Sequence, residues 1–96
     1  MNYLKLESVK RYCVFVIKME KPLDTMEKVL VFFEERSVWV ETFQFHRIEG
    51  GEAKVLMHCL VEKDRIPHTR QKLEHMRGVL ELQLLENREH NSTSKT

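Results

Sequence analysis

Five histidines and two cysteines are the side chains of this 96-residue sequence best suited to bind a metal or to act as nucleophiles. His46 and His58 fall on two predicted strands, but the predicted pairing separates them along the hairpin and brings no third ligand to them. His68 and His75 share one predicted helix at a spacing typical of a solvent-exposed face. We therefore predict no metal site and no cofactor.

The two cysteines are interpreted as buried, reduced thiols. Cys13 and Cys59 each lie inside an apolar run with no second cysteine nearby, which is neither a disulfide framework nor a CxxC pair. Neither has an adjacent base in the sequence that would activate a thiolate. Since no convergent set of acid, base and nucleophile is evident elsewhere, we predict that the protein is not an enzyme.

Charge and hydropathy exclude several classes of protein. The net charge is +1 and acidic residues are interspersed with basic ones, so no strong field attracts nucleic acid or a membrane surface. No apolar stretch approaches the roughly 20 residues that span a bilayer, and the charged segment MNYLKLESVKR is unlike a signal peptide. We expect a single cytoplasmic domain with neither nucleic acid nor a membrane as partner.

The first part of the chain predicts a strand followed by a helix. Residues 11–19, RYCVFVIKM, carry aromatic and β-branched residues on both faces, which favours a strand covered on both sides. Asp24 or Thr25 is predicted to begin the helix, because Asp24 and Glu27 have the spacing of a capping box. The helix is predicted to end near Arg36. Its predicted buried stripe follows helical spacing: Met26, Val29, Leu30 and Phe33.

The segment SVWVETFQFHRIE, residues 37–49, predicts a long strand whose alternation changes phase. Four apolar residues show the change: Val38 and Val40 share one parity, and Phe43 and Phe45 share the other. A regular strand cannot bury all four on one face, because successive side chains point to opposite faces. We therefore predict a β-bulge at Glu41–Thr42, which would bring all four to the same face.

The sequence EGG at residues 49–51 predicts a hairpin loop, and residues 52–63 predict the returning strand. Two pairs define the predicted register: Phe43 with Met57 and Phe45 with Val55. A second helix follows, capped by Asp64, with Pro67 in its first turn and Gly78 after its end. Its predicted stripe is thin: Ile66, Thr69, Leu73 and Met76. A last strand, residues 79–86, is predicted to point Leu80, Leu82 and Leu84 to one face.

This order of elements predicts a ferredoxin-like α/β sandwich, βαββαβ, with a four-stranded antiparallel sheet and two helices on one face. The predicted domain covers residues 11–86. Residues 1–10 form a lead with weak pattern, and residues 87–96 are polar and predict a disordered tail.

The sheet face away from the helices is predicted to be too apolar for open solvent. Five residues are predicted to form an interface there: Val14, Val16, Trp39, Leu56 and Leu60. A domain this small gains stability by covering such a face, so we expect a homodimer. The sheet does not suggest RNA binding, since the third predicted strand, AKVLMHCLV, lacks aromatic side chains on which bases could stack.

The order of elements over residues 11–86 resembles the ACT domain, a small amino-acid-sensing module. Residues 24–45, DTMEKVLVFFEERSVWVETFQF, are similar to the small regulatory subunits of acetohydroxy acid synthase. Those subunits have a leucine-rich first helix, a charged helix end and a strand of the form apolar-x-apolar-E-S/T-apolar-x-apolar, as in VWVETFQF here. The resemblance implies a non-catalytic regulator of branched-chain amino acid synthesis, with a large catalytic subunit and a free amino acid as partners.

In ACT domains the amino acid lies between the turn before the first helix and a neighbouring protomer. The positions of this sequence that match that turn are Lys21, Pro22, Leu23, Asp24 and Thr25. Sensing ACT domains usually carry a proline-glycine step in this turn, and here Leu23 follows Pro22 in place of the glycine. Two interpretations stay open: a ligand-binding turn, or the structural corner of a ligand-free oligomerisation domain.

Overall fold

Six main elements follow one another along the described part of the chain in the predicted order βαββαβ. The structure, a computed structural model, describes residues 9–87, and the rest of the predicted lead and tail lies outside these residues. The elements are β1 (Lys10–Met19), α1 (Pro22–Glu35), β2 (Trp39–Ile48), β3 (Glu52–Glu62), α2 (Ile66–Glu74) and β4 (Val79–Asn87). The strands form one antiparallel sheet in the order β2-β3-β1-β4, as the ferredoxin-like fold requires.

The core lies between the sheet and the two helices. Alternate residues of β1 and β3 point toward the helices, and Phe15 packs against Phe33 of α1 with ring centroids 5.5 Å apart. The buried apolar residues form one cluster: Cys13, Phe15, Ile17, Met19, Met26, Val29, Phe32, Phe33, Ala53, Val55, Met57, Cys59, Val61, Ile66 and Leu73. One continuous core therefore ties both helices to the central strands.

The start and the buried face of α1 differ from the prediction. The helix begins at Pro22, because proline has the φ of a first helical residue and its missing N–H costs no helical bond there. Lys21 is the N-cap residue and no side chain caps the helix, so the predicted capping box of Asp24 is wrong. Leu30 was wrongly assigned to the core: it is 37% exposed, whereas Phe32 is buried in its place.

The phase change in β2 is produced by the predicted β-bulge. Val40 lies opposite Cys59 and Thr42 opposite His58, so Glu41 is the extra residue between two paired positions. Both predicted pairs of the hairpin are confirmed: Phe43 with Met57 and Phe45 with Val55. The loop at residues 49–51 is also confirmed, with positive φ at both glycines.

The second half of the fold departs from the prediction at two places. Asp64 lies in a short 3-10 turn, and α2 starts directly after this turn with Arg65 as its N-cap and no side-chain cap, so the predicted Asp64 cap is wrong. A register shift in β4 places Val79 opposite Met19 and leaves Leu80 43% exposed instead of on the inner face. In the described part of the chain, no helix is both long and apolar enough to cross a membrane.

Truncation of Phe33 tests the assignment of the core. Phe33 is 1% exposed and contacts the ring of Phe15, so Phe33→Ala should lower the free energy of unfolding by roughly 3–5 kcal/mol. Urea unfolding followed by circular dichroism measures the change. Val31→Ala is the control on the same helix, because Val31 is 48% exposed and its loss should cost far less. Equal losses for the two variants would contradict the assigned helix face.

Candidate functional site

The turn between β1 and α1 is held in a left-handed conformation at its N-cap residue. Lys21 has φ 45° and ψ 58°, a region that residues other than glycine adopt infrequently. Pro22 follows as a buried residue, and Leu23 is 67% exposed at the position where sensing ACT domains carry glycine. The positive φ of the turn thus falls one residue before the proline and not after it.

The first turn of α1 offers backbone N–H groups that the helix itself does not use. The amide of Thr25 donates to the carbonyl of Lys21 at 3.0 Å, which is the first helical hydrogen bond. Leu23 and Asp24 precede it, so their amides have no carbonyl four residues back inside the helix. Since no side chain caps α1, this end carries the partial positive charge of the helix dipole without a capping acceptor.

Thr25 occupies a structural position in the same turn. Its side chain is buried, and its hydroxyl donates to the carbonyl of Glu20 at 2.7 Å. The amide of Glu20 donates in turn to the carbonyl of Gly78 at 2.9 Å. Gly78 has φ +102°, and a Cβ atom there would overlap the Thr25 hydroxyl. These two hydrogen bonds and the close packing therefore hold the turn that leads into α1 against the loop before β4.

Arg47 completes the surroundings of the turn and was not among the predicted site residues. An open depression of about 300 Å³ is lined by four of the predicted residues and by this arginine: Lys21, Pro22, Leu23, Asp24 and Arg47. Arg47 belongs to β2, where its guanidinium lies 5.7 Å from the ring centroid of Phe45. The sequence pattern could have pointed to Arg47, because this residue follows Phe45 by two positions on the predicted strand and therefore shares its face.

This depression brings together groups of three chemical kinds. The uncapped helix end and Arg47 favour an anion, and the Asp24 carboxylate favours a cation. The exposed Leu23 side chain supplies an apolar surface beside them. A small zwitterion with an apolar part matches all three. Thr25 does not line the depression, because it points into the corner.

The predicted interface residues all lie on the sheet face away from the helices, which we call the open face. Its apolar members are Tyr12, Val14, Val16, Trp39, Leu56, Leu60 and Leu85. Trp39, Leu60 and Tyr12 are neighbours across three strands, and Trp39 is 63% exposed. The Tyr12 hydroxyl donates to Glu41 at 3.4 Å, and partial burial together with that carboxylate raises the pKa of Tyr12.

The other candidate groups do not converge on a reaction centre. His46 lies opposite Lys54, and His58 lies between Thr42 and Val14 on the open face. Among residues 9–87, no three histidine, cysteine or acidic side chains are grouped closely enough to hold a metal ion.

The two thiols are paired across β1 and β3 inside the core. Cys13 lies directly opposite Cys59, and both are free and buried. Burial raises the pKa of Cys13 to about 11, with a contribution from Glu86, and that of Cys59 to about 12, with contributions from Cys13 and Glu41. Both groups therefore stay protonated at neutral pH, which makes them poor nucleophiles.

Comparisons with known proteins place the fold. No protein-family model matches the sequence, and no curated protein matches it. The ACT domain of GTP pyrophosphokinase from Chlorobium tepidum has a TM-score of 0.67 and 14% identity, covering 80% of this chain and 100% of that one. An uncharacterized protein from Thermotoga maritima has a TM-score of 0.64 and 20% identity, covering 81% of this chain and 98% of that one. The fold is that of ACT domains.

A third similar structure is part of a larger protein. A homoserine dehydrogenase from Thiobacillus denitrificans has a TM-score of 0.65 and 8% identity, covering 84% of this chain but only 18% of that one. At these identities the likeness is one of fold, so the function must be argued from the side chains of this chain.

The packing of Gly78 against Thr25 predicts that two glycine substitutions will have unequal effects on stability. Gly78→Ala should lower the free energy of unfolding by about 1–3 kcal/mol more than Gly50→Ala. Both glycines have positive φ, but a Cβ at Gly50 meets nothing within 4 Å, whereas one at Gly78 meets Thr25. Chemical denaturation of the two variants measures the difference. Equal losses would show that the contact with Thr25 is unimportant.

The thiol pair predicts a loss of stability at high pH. In the unfolded chain the thiols lose their protons near the ordinary value of 9.0, whereas in the folded protein they hold them to about 11 and 12. The free energy of unfolding should therefore fall as pH rises above 9, with each thiol contributing up to about 1.4 kcal/mol per pH unit. Cys59→Val removes one of these contributions. Denaturation curves at pH 8 to 11 should show a shallower decline for the variant, and identical declines would contradict the raised pKa values.

Proposed function

We propose that this chain is a non-catalytic regulatory module that binds a free amino acid at the turn between β1 and α1. The observation that carries the proposal is the depression in which the uncapped helix end, Asp24 and Arg47 meet. The amino acid's carboxylate is received by the Leu23 and Asp24 amides and by Arg47. Its ammonium group pairs with the Asp24 carboxylate, and its side chain lies on Leu23.

Leu23 bears on which kind of amino acid is bound. A leucine at this position covers backbone that a glycine would leave bare, so the ligand contacts a side chain where other ACT domains present main chain. An exposed apolar side chain favours an apolar amino acid over a polar one, because the contact removes apolar surface of both partners from water. A branched-chain amino acid fits this requirement.

The finer part of the proposal concerns the protein that is regulated. The similarity of residues 24–45 to the small subunits of acetohydroxy acid synthase supports a large catalytic synthase subunit as the partner. The module then acts by binding the amino acid at Arg47 and the turn while it is attached to that subunit. Regulation requires the complex to have two conformations, one more active than the other, that bind the amino acid with different affinity.

A ligand-free structural domain is the second candidate, and the corner itself favours it. Thr25 is buried and hydrogen-bonded to Glu20, and Gly78 packs against it, so part of the turn serves the fold alone. Under this alternative the positive φ of Lys21 is only the geometry needed to enter α1.

Thermal unfolding in the presence of single amino acids distinguishes the two candidates. A ligand at ten times its Kd should stabilise the folded protein by about 1.4 kcal/mol, which raises the Tm by roughly 5–10 °C. We expect this response to a branched-chain amino acid and expect Arg47→Ala to abolish it. Lys72→Ala is the matched control, since Lys72 is an exposed cation on α2, away from the depression.

Each result has a defined meaning. The quantity compared is the ligand-induced shift in Tm, so the effect of the substitution on the unliganded Tm does not matter. A shift that persists in Arg47→Ala would show that the amino acid binds elsewhere. No response to any amino acid up to 10 mM would favour the ligand-free structural domain.

A further inference from the structure

The open face has an apolar middle and two chemically different ends. The register aligns residues of the four strands in rows that cross the sheet. One end row contains Trp39, Leu60 and Tyr12, and the Glu41 carboxylate reaches the Tyr12 hydroxyl there. A row toward the opposite end contains three nitrogen bases and one acid: His46, Lys54, Lys18 and Glu81. The face also has charges beyond these two rows: Lys10 and Glu62 follow Tyr12 and Leu60, and Glu52 follows Lys54 and lies 3.8 Å from Lys18.

Two rows separate these ends and form the middle of the face. Their members are Thr42, His58, Val14 and Leu85 in one row, and Gln44, Leu56, Val16 and Gln83 in the other. The apolar side chains lie on β1, β3 and β4, and the polar ones lie on the two edge strands, except for His58 on the central strand β3. An acidic and aromatic end, an apolar middle and a basic end therefore succeed one another along the strands.

We propose that a second copy of this chain covers the open face, sheet against sheet, with the strands of the two copies antiparallel. The twofold axis lies between the sheets and runs across the strands, through the middle of the face. Each strand then faces its own copy with its direction reversed, so the basic end of one protomer lies on the aromatic and acidic end of its partner. The interface is isologous, as closed dimers require.

The ends of the face are complementary in this arrangement. Lys54 on β3 faces the region of Leu60, over which the Glu41 carboxylate of the other protomer extends toward Tyr12. Lys18 faces the ring of the other protomer's Tyr12, a cation–π arrangement. Each contact occurs twice in the dimer because of the twofold axis.

Charge disfavours the alternative in which the twofold axis runs along the strands. A twofold axis along the strands would lay β3 of one protomer on β1 of the other, with Lys54 over Lys18. Like charges brought together in an interface weaken association and discriminate against that arrangement. Lys18 is only 3.8 Å from Glu52 on its own sheet, which offsets part of its charge, but Lys54 is exposed.

The size of the face suits a dimer of this kind. Four strands about 4.8 Å apart and four rows about 6.7 Å apart outline roughly 500 Å² on each protomer. The accessible surface of two such faces is larger than this flat outline, because side chains project from each sheet. It comes to about 1,200 Å² in total, the area at which stable protein interfaces begin. Aligned packing of two sheets at about 10 Å also accommodates side chains of the size of Val14, Leu56 and Val16.

The first measurement is sedimentation equilibrium of the unmodified protein between 1 and 100 μM, without any amino acid. We expect a dimer, and Trp39→Ala should weaken it at least tenfold in Kd, because it removes the largest apolar side chain of the open face. Leu23→Ala is the matched control: Leu23 is 67% exposed and Trp39 63%, but Leu23 lies at the start of α1. Circular dichroism confirms that both variants fold.

The second measurement tests the direction of the strands by exchanging charges. Lys54→Glu and Glu41→Lys should each weaken the dimer by roughly tenfold, since each creates two pairs of like charges. The double variant restores opposite charges in both pairs and should return the Kd to within about threefold of the unmodified protein.

Three outcomes overturn the proposal. A monomer at every concentration would mean that another occupant covers the face, either the chain beyond residues 9–87 or a different protein. A dimer that Trp39→Ala leaves intact would lie elsewhere on the molecule. Failure of the double exchange to restore association would exclude the antiparallel arrangement. None of these results depends on amino-acid binding, so the proposed function is tested separately.

Discussion

One extra residue in β2 determines what lies on both faces of the sheet. Glu41 is inserted between the paired residues Val40 and Thr42, and the alternation of the strand changes phase there. The insertion allows Val40 and Phe43 to point to the helix side together. It also leaves Trp39 on the open face. Without the bulge, one half of β2 would turn its apolar residues to the wrong side, because side chains alternate with a period of two.

The same strand links the two surfaces to which we assign functions. Arg47 near its end lines the depression at the start of α1, whereas Trp39 and Glu41 near its beginning belong to the open face. A β-bulge adds twist and bends the strand that carries it. Both surfaces therefore depend on the geometry of one bulged strand.

The corner before α1 has an inner half that is fixed by the fold and an outer half that is open to solvent. Thr25 and Glu20 hold the turn from the inside, with Gly78 packed against them. That contact orients the helix end, and the amides of Leu23 and Asp24 then point outward with no capping side chain. A rigid inner half is what a binding site on the outer half requires, since a preorganised site loses less entropy on binding.

The sequence by itself determined the order of elements, the faces of β1, β2 and β3, the position of the bulge and the hairpin register. These features depend on periods of 2 and 3.6 residues and on turn residues, all of which are local. It also identified the apolar open face and four of the five residues around the depression. The capping predictions failed, because α1 begins at Pro22, before Asp24, and α2 begins at Ile66 with Arg65 as its N-cap.

Only the tertiary structure decided which distant residues meet. The packing of β2 beside α1 brings Arg47 to the turn, and the packing of β4 brings Gly78 to Thr25. The reach of Glu41 over β3 to Tyr12 depends on the side chain of a bulged residue, whose direction the bulge sets. Such contacts join residues some 25 to 50 positions apart, and no local periodicity carries information about them, because they are fixed by how whole elements pack.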